Sequence, residues 1–369
     1  MTFSNSRARI YVNGRFLTQR TTGVQRYAHE TLRAIDALLD HNSTTRWTIL
    51  APKGTVPKEK WNHIEFVAVG FLSGHAWEQF ELPRYASDGW LLTLSGAPSL
   101  FHSRHIFTIH DTAIYDMPNG YSSLYRTYYR TLYRLCVNRA KAIFTVSQFS
   151  RNRIAAIFSN ISERIRVTPN GADHSSLPVK SRDEGLDDRK VEESPYILAV
   201  SSLAPNKNFE IIMKFSEIID DSNLRIVVVG NSNPKVFGKP GVSSSRIDWR
   251  GYVSDEELDQ LYRHAACFVF PSFYEGFGLP PIEAMRHGCP VIASNAASIP
   301  EVCGDAALYF NPYSAEELLS QIARVLHEPG LSDDLRKKGE QQAKKYTWNQ
   351  AAQTILNSIT SLTEERDRA

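Results

Sequence analysis

The sequence predicts an α/β protein of two domains, each built on a parallel sheet covered by helices. Three observations carry this expectation. The chain has 369 residues, too many for one ordinary domain and enough for two of about 150–200. Short β-rich runs, apolar on both faces, alternate with helical patterns along its length, as strands buried on both sides of a parallel sheet require. A charged, proline-containing stretch at residues 178–195 interrupts the alternation, which then restarts.

In the first half the spacing predicts strands at residues 8–13, 47–51, 64–69, 107–110, 142–146 and 165–169, with helices at 23–39 and 122–139 among those between them. In the second half it predicts strands at 196–201, 224–230, 267–271, 290–294 and 307–310. Helices are expected at 208–219, 255–265 and 282–287, and from about 315 to the end. The expected division is therefore a first domain at 1–177, a linker at 178–195, a second domain at 196–345, and a C-terminal helix at 346–369. Open α/β sheets take ligands at the carboxyl ends of their strands, so two facing sheets would bring two ligands into one cleft.

Composition narrows the class. A hydrophobic share of 42% and a charged share of 22% are those of a soluble globular protein. The N-terminus shows no apolar core behind positive charge, so no secretory leader is expected, and no run approaches the roughly 20 apolar residues of a membrane helix. Cys136, Cys267, Cys289 and Cys303 have no metal-like spacing and are read as buried free thiols, in keeping with a cytoplasmic protein. Net charge is +2, but residues 1–180 hold 22 Lys and Arg against 12 Asp and Glu, and the remainder 20 against 28. The basic first half suits an anionic partner: nucleic acid, a membrane surface or a phosphate-bearing acceptor. Attraction between the two halves is the alternative account.

The most informative segment runs from Phe270 to Met285. A strand ends, a loop Glu275-Gly276-Phe277-Gly278 follows, and Pro280 and Pro281 open a helix. The free amides of a helix start favour an anion such as a diphosphate, and glycine lets the backbone approach it closely. Glu275 in the loop and Glu283 in the helix could grip hydroxyls on either side, although Glu283 alone would be explained by stabilisation of the helix dipole.

With its eight-residue spacing of Glu275 and Glu283, the segment resembles the E-x7-E signature of retaining GT-B glycosyltransferases, particularly glycosyltransferase family 4. Gly251-Tyr-Val-Ser-Asp-Glu-Glu-Leu258, His287-Gly-Cys-Pro-Val-Ile-Ala-Ser294, Thr22-Gly-Val-Gln-Arg-Tyr27, Ile109-His-Asp111 and Pro169-Asn-Gly-Ala-Asp173 extend the resemblance over nearly the whole chain. The pattern is closest to the bacterial branch that includes O-antigen mannosyltransferases. It implies two Rossmann-like domains facing across a cleft, the first for the acceptor and the second for the donor, with the C-terminal helix crossing back to the first. Glu275 would contact the donor sugar. Gly276, Phe277, Gly278 and Leu279 would offer backbone groups to sugar and diphosphate, and Glu283 would bind the ribose. Lys207 would pair with the diphosphate, and Tyr252 and Val253 would lie at the donor. Ser202 stands where many relatives have Arg, which leaves fewer cations on the leaving group.

In the first half the resemblance places Gly23 at the donor phosphate, His110 near the donor sugar as a catalytic group beside Glu275 and Lys207, and Thr22, Asp111 and Asp173 toward acceptor or cleft. Arg126, Arg130 and Arg134 recur every fourth residue, as do Tyr125, Tyr129 and Tyr133. These stripes predict either a face for an anionic membrane or a solvated Arg edge beside a Tyr-packed core. The expected reaction moves a hexose from a nucleotide diphosphate sugar, GDP-mannose favoured, to a glycan hydroxyl, lipid-linked by resemblance. No cofactor or metal is expected, and no nucleic-acid partner. A nucleotide-sugar epimerase or hydrolase and a noncatalytic binding subunit are the alternatives.

Overall fold

In the computed structural model the described residues are 7–40, 43–174, 195–200, 204–219, 224–230 and 246–368. They form two compact units. The first comprises Met1–Gly171 and Thr347–Ala369, the second Ala172–Tyr346. Of the stretch expected as a linker, 178–195, all but Pro195 lies outside the described residues, as does Ser202.

The first unit holds seven parallel strands: β1 (Ala8–Asn13), β2 (Thr45–Pro52), β3 (Ile64–Val69), β4 (Trp90–Thr93), β5 (His105–Thr108), β6 (Ala142–Thr145) and β7 (Ile165–Val167). Their order is β3-β2-β1-β4-β5-β6-β7. The strand β4 is absent from the expected set. Trp90-Leu-Leu-Thr93 is buried at every position, so it has neither the alternation of a half-exposed strand nor the length to declare itself. The C-terminal helix Trp348–Arg368 lies in this unit against the helix Gly23–Leu38, with Trp348 edge-on to the buried Tyr27 at 6.1 Å.

The second unit holds six parallel strands: β8 (Tyr196–Val200), β9 (Arg225–Val229), β10 (Ile247–Gly251), β11 (Cys267–Phe270), β12 (Val291–Ser294) and β13 (Ala307–Phe310). Their order is β10-β9-β8-β11-β12-β13. The unforeseen strand here is β10, an edge strand whose Asp248, Trp249 and Arg250 are not buried, so its sequence reads as a polar loop. Aliphatic side chains of β8, β9 and β11 pack with Phe209, Ile212 and Phe215 of the helix Phe209–Ile218. The four cysteines are buried and unbridged. Among the described residues no helix is long and apolar enough to cross a membrane.

Both sheets have the doubly wound order in which chain direction across the sheet reverses once, at β1/β4 in the first and β8/β11 in the second. The loops on either side of that reversal part, leaving a crevice at the carboxyl ends. At the second crevice the chain turns sharply at Asn208, whose φ of 51° is left-handed. Its buried side-chain amide donates to Pro271 O at 3.0 Å and Pro312 O at 2.6 Å, tying together the loops after β8, β11 and β13. Asn tolerates this backbone better than most residues. Asn208→Ala is expected to lower unfolding free energy by about 2–4 kcal/mol, through two unsatisfied carbonyls and the backbone strain. Asn208→Gly, free of the strain, should cost about 1 kcal/mol less. Urea titration measures both, and a wild-type midpoint for Asn208→Ala would refute this role.

Candidate active site

At the β8/β11 crevice Lys207 and Glu275 meet. The Lys207 ammonium donates to both carboxylate oxygens of Glu275, at 2.7 and 2.9 Å. Neither is sealed in: the lysine side chain is 27% exposed and the glutamate 11%. The loop bearing Glu275 is pinned beneath. Ser298 Oγ lies 3.0 Å from Glu275 O and 3.1 Å from Phe277 O, and Asn206 Nδ2 donates to Tyr274 O at 3.1 Å. Phe277 is buried with its ring edge-on to Tyr346 at 5.2 Å. Gly278 then adopts φ +94°, caps the helix Leu279–Arg286 and turns the chain into it. Only glycine takes that backbone without strain. The helix begins at Leu279, three residues before the expected start, because Pro280 and Pro281 fit its first turn.

One turn into the helix, the Glu283 carboxylate meets side chains from two other segments. His174 Nε2 lies 3.0 Å from Oε1, and the Tyr262 hydroxyl donates to Oε2 at 3.3 Å. Tyr262 comes from the helix Asp255–His264 and lies parallel to the His287 ring at 6.0 Å. His287 Nε2 is 2.8 Å from Asp259 Oδ1. Sequence reasoning missed His174, Tyr262 and Ser298. The one available signal was adjacency: His174 directly follows the Asn-Gly-Ala-Asp segment, of which Asp173 was singled out. Asp173 is exposed, and it is His174 that turns inward. Tyr252 is 55% exposed and Val253 partly so.

In the first unit, Gly23 opens the helix Gly23–Leu38. A Cβ there would meet nothing within 4 Å, and its φ is not left-handed. Neither packing nor backbone therefore demands glycine. Thr22 precedes it as N-cap, its amide donating to Gln25 Oε1 at 3.2 Å. His110 follows β5. Its Nε2 lies 2.9 Å from Leu94 O, just past β4, and since a carbonyl only accepts, Nε2 carries the hydrogen. Burial pushes its pKa down to about 4, so the ring is neutral near pH 7. Asp111 accepts from Ala113 N at 2.8 Å, which is the turn role of an Asp at a helix start.

A second missed cluster fills the β1/β4 crevice. Glu78 is fully buried. It accepts from Asn13 Nδ2 at 3.0 Å and Ala97 N at 3.1 Å, pairs with Arg15, and lies 2.9 Å from His75 Nδ1. A buried carboxylate persists only when paired in this way.

The arginine stripe bonds main-chain carbonyls at two of its three positions. Arg126 donates to Pro118 O at 3.0 Å. Arg130 donates to Ile114 O at 2.7 and 3.0 Å, with its guanidinium 5.0 Å from the Tyr115 ring centre. Both are partly buried and bond carbonyls at the ends of short helical turns. Arg134 is exposed. Tyr129 and Tyr133 pack on the core of the first unit, while Tyr125 is exposed.

Residues 184–344 match the family model of the glycosyl transferases group 1, and residues 21–176 that of glycosyltransferase family 4. The chain belongs to these glycosyltransferases. Among curated relatives, this glycosyltransferase is 29% identical over 269 residues to the O-antigen chain mannosyltransferase B of Escherichia coli, covering 70% of this chain and 71% of that one. It is 31% identical over 226 residues to the O-antigen chain mannosyltransferase RfbU of Salmonella typhimurium, covering 60% and 61%. The solved sucrose-phosphate synthase of Thermosynechococcus elongatus superposes with a TM-score of 0.73 at 18% identity, over 97% of this chain and 100% of that one. The architecture is GT-B, two Rossmann-like domains with parallel sheets.

The His110 environment sets a testable titration. Its folded value of about 4 lies below the ordinary 6.5. Between these values the unfolded chain binds the extra proton and the folded glycosyltransferase does not. Its contribution to stability is therefore complete above 6.5 and declines as the pH falls toward 4. The ring resonances of His110, assigned by loss in His110→Gln, should titrate with a midpoint near 4. A midpoint between 6 and 7 would contradict the neutral ring.

Proposed function

We propose that this glycosyltransferase moves a hexose from a nucleotide diphosphate sugar, GDP-mannose or a related GDP-sugar, to a hydroxyl of a lipid-linked glycan, with retention at the anomeric carbon and no required divalent metal. The observation that carries the reading is the meeting of Lys207 and Glu275 at the β8/β11 crevice, 2.7 Å apart, beside the helix start at Gly278. The GDP-mannose assignment rests on the similarity to O-antigen mannosyltransferases.

In the reaction the bond from C1 to the phosphate oxygen breaks, and its electron pair stays on the phosphate. Negative charge grows there while C1 gains oxocarbenium character. Lys207 and the amides of the helix start stabilise that charge from fixed positions, which lowers the barrier without reorganisation. They supply the electrophile a metal would otherwise provide. Glu275 accepts hydrogen bonds from sugar hydroxyls and Glu283 from the ribose. His110, neutral and with its hydrogen on Nε2, presents Nδ1 as an acceptor to the sugar. The acceptor oxygen attacks C1 from the face the phosphate leaves, and its proton passes to that phosphate. Work at a membrane surface follows from the lipid-linked acceptor, not from the arginine stripe.

Lys207 and Glu275 must exchange their mutual bonds for bonds to the donor. Glu275→Gln is expected to reduce turnover by 100-fold or more, on the order of the loss of a group that acts in the transition state. The same change should tighten GDP binding several-fold, because Lys207 loses its competing carboxylate. Lys207→Ala should weaken GDP binding by about tenfold. Near wild-type turnover in folded Glu275→Gln would reject the site. Proton NMR of the product should show an α-linkage from an α-linked donor, and full activity should persist in EDTA. Product formation that ignores added acceptor would favour an epimerase or hydrolase instead.

A further inference from the structure

An exposed aromatic ring lies at the same end of the second sheet as Lys207 and Glu275. Tyr313 follows β13 and is 82% exposed, the most of any large apolar side chain among the described residues of the second unit. Its ring packs on that of Phe273, which follows β11, with centroids 4.9 Å apart and planes 32° from each other. The strands are parallel, so both residues lie at the carboxyl end of the sheet, where ligands bind. Exposed though it is, this segment is held. Tyr313 N donates to Asn311 Oδ1 at 3.0 Å, and Pro312 O accepts from the buried Asn208 amide at 2.6 Å. Phe273 N donates to Asn206 O at 2.8 Å. Asn206 and Asn208 flank Lys207, and Phe273 closely precedes Glu275. The aromatic pair is therefore tied to both segments that carry the ion pair.

A tyrosine ring offers a large flat contact at little cost in side-chain entropy, and one already fixed in place costs still less to order on binding. The group beside it is polar. Asn311 Oδ1 is used by Tyr313 N, but among the described residues nothing accepts from Asn311 Nδ2. An apolar face with an amide donor at its edge complements a pyranose, whose C–H groups form an apolar face and whose oxygens accept hydrogen bonds. The donor is already provided for by Lys207, Glu275, Glu283 and the helix start. A glycan acceptor brings several pyranoses of which one reacts, and the others need a surface of their own. We propose that Tyr313, backed by Phe273, is a stacking platform for a pyranose of the acceptor glycan, so that the second unit binds acceptor as well as donor. The proposal rests on the reading of a glycan as the acceptor.

The test measures initial rates of the full chain with GDP-mannose and two acceptors, octyl α-mannoside and octyl α-mannobioside, and GDP affinity by calorimetry. Tyr313→Ala should raise the acceptor KM by about tenfold, the scale of an aromatic stacking contact. Turnover at saturating acceptor and GDP affinity should stay within about twofold of wild type, since binding rather than the transition state is affected. Tyr313→Phe and Tyr313→Trp keep the flat face and should keep the wild-type KM. Tyr313→Leu covers Phe273 without a flat face and should behave as Tyr313→Ala, which separates stacking from packing. A wild-type acceptor KM in both Tyr313→Ala and Tyr313→Leu overturns the proposal and leaves the glycan reading standing. So does a loss of GDP affinity with the acceptor KM unchanged, which would assign the ring to the nucleobase. A fall in both turnover and GDP affinity in every variant overturns it in favour of a purely structural ring. Failure of the wild type to transfer to either acceptor overturns the glycan reading, and the proposal with it.

Discussion

The pairing of β8 with β11 is the constraint from which the site follows. Their paired residues Leu198 and Phe268 are 70 positions apart in the chain. Because both run the same way, the loops that follow them emerge on one side of the sheet. Because the direction of winding reverses between them, those loops separate and leave a crevice. Lys207 follows one strand and Glu275 the other, so their contact is a consequence of topology. The same reversal in the first sheet lies between β1 and β4, but there the crevice is closed by Glu78, which bonds the end of β1 through Asn13 and the loop after β4 through Ala97. One reversal bears a partly exposed ion pair. The other is filled by the buried Glu78 network.

The interior carboxylates explain how such loops keep their shape. Glu78, Glu283 and Asp259 each meet a histidine or arginine, and Asp36 accepts from the amides of Asn62, His63 and Ile64. Taking a carboxylate out of water is costly unless its lone pairs are filled, so each network holds its members in one arrangement. Rigidity of this kind is what electrostatic stabilisation of a departing phosphate needs, since dipoles already in place cost nothing to reorient when charge develops. The ion pair of Lys207 and Glu275 differs in being partly exposed, and its partners are therefore exchangeable for those of a ligand.

The two crossings between units lie close together in the second unit, where Ala172 N donates to Tyr346 O at 3.1 Å. Immediately after the first crossing comes His174, bonded to Glu283. The segment that carries the chain into the second unit thus also braces the Glu283 carboxylate. After the second crossing, Trp348 starts the helix that completes the first unit beside Tyr27.

Much of this was legible in the sequence. The alternation of buried runs and helical patterns determined two parallel-sheet domains, since a strand covered on both faces must be apolar throughout. The spacing of Glu275 and Glu283 around Gly278, Pro280 and Pro281 determined a loop and helix start, because those residue types have few other backbone uses. Fully buried β4 and polar edge strand β10 were not legible, having no periodicity of their own. Only the tertiary structure decided which side chains meet. It turned His174 rather than Asp173 toward Glu283, buried Glu78 at the first crevice, and bound Arg126 and Arg130 to main-chain carbonyls. Local patterns report the conformation of a segment and the faces it must bury. Contacts between residues distant in the chain depend on strand order and side-chain direction, which no local pattern encodes.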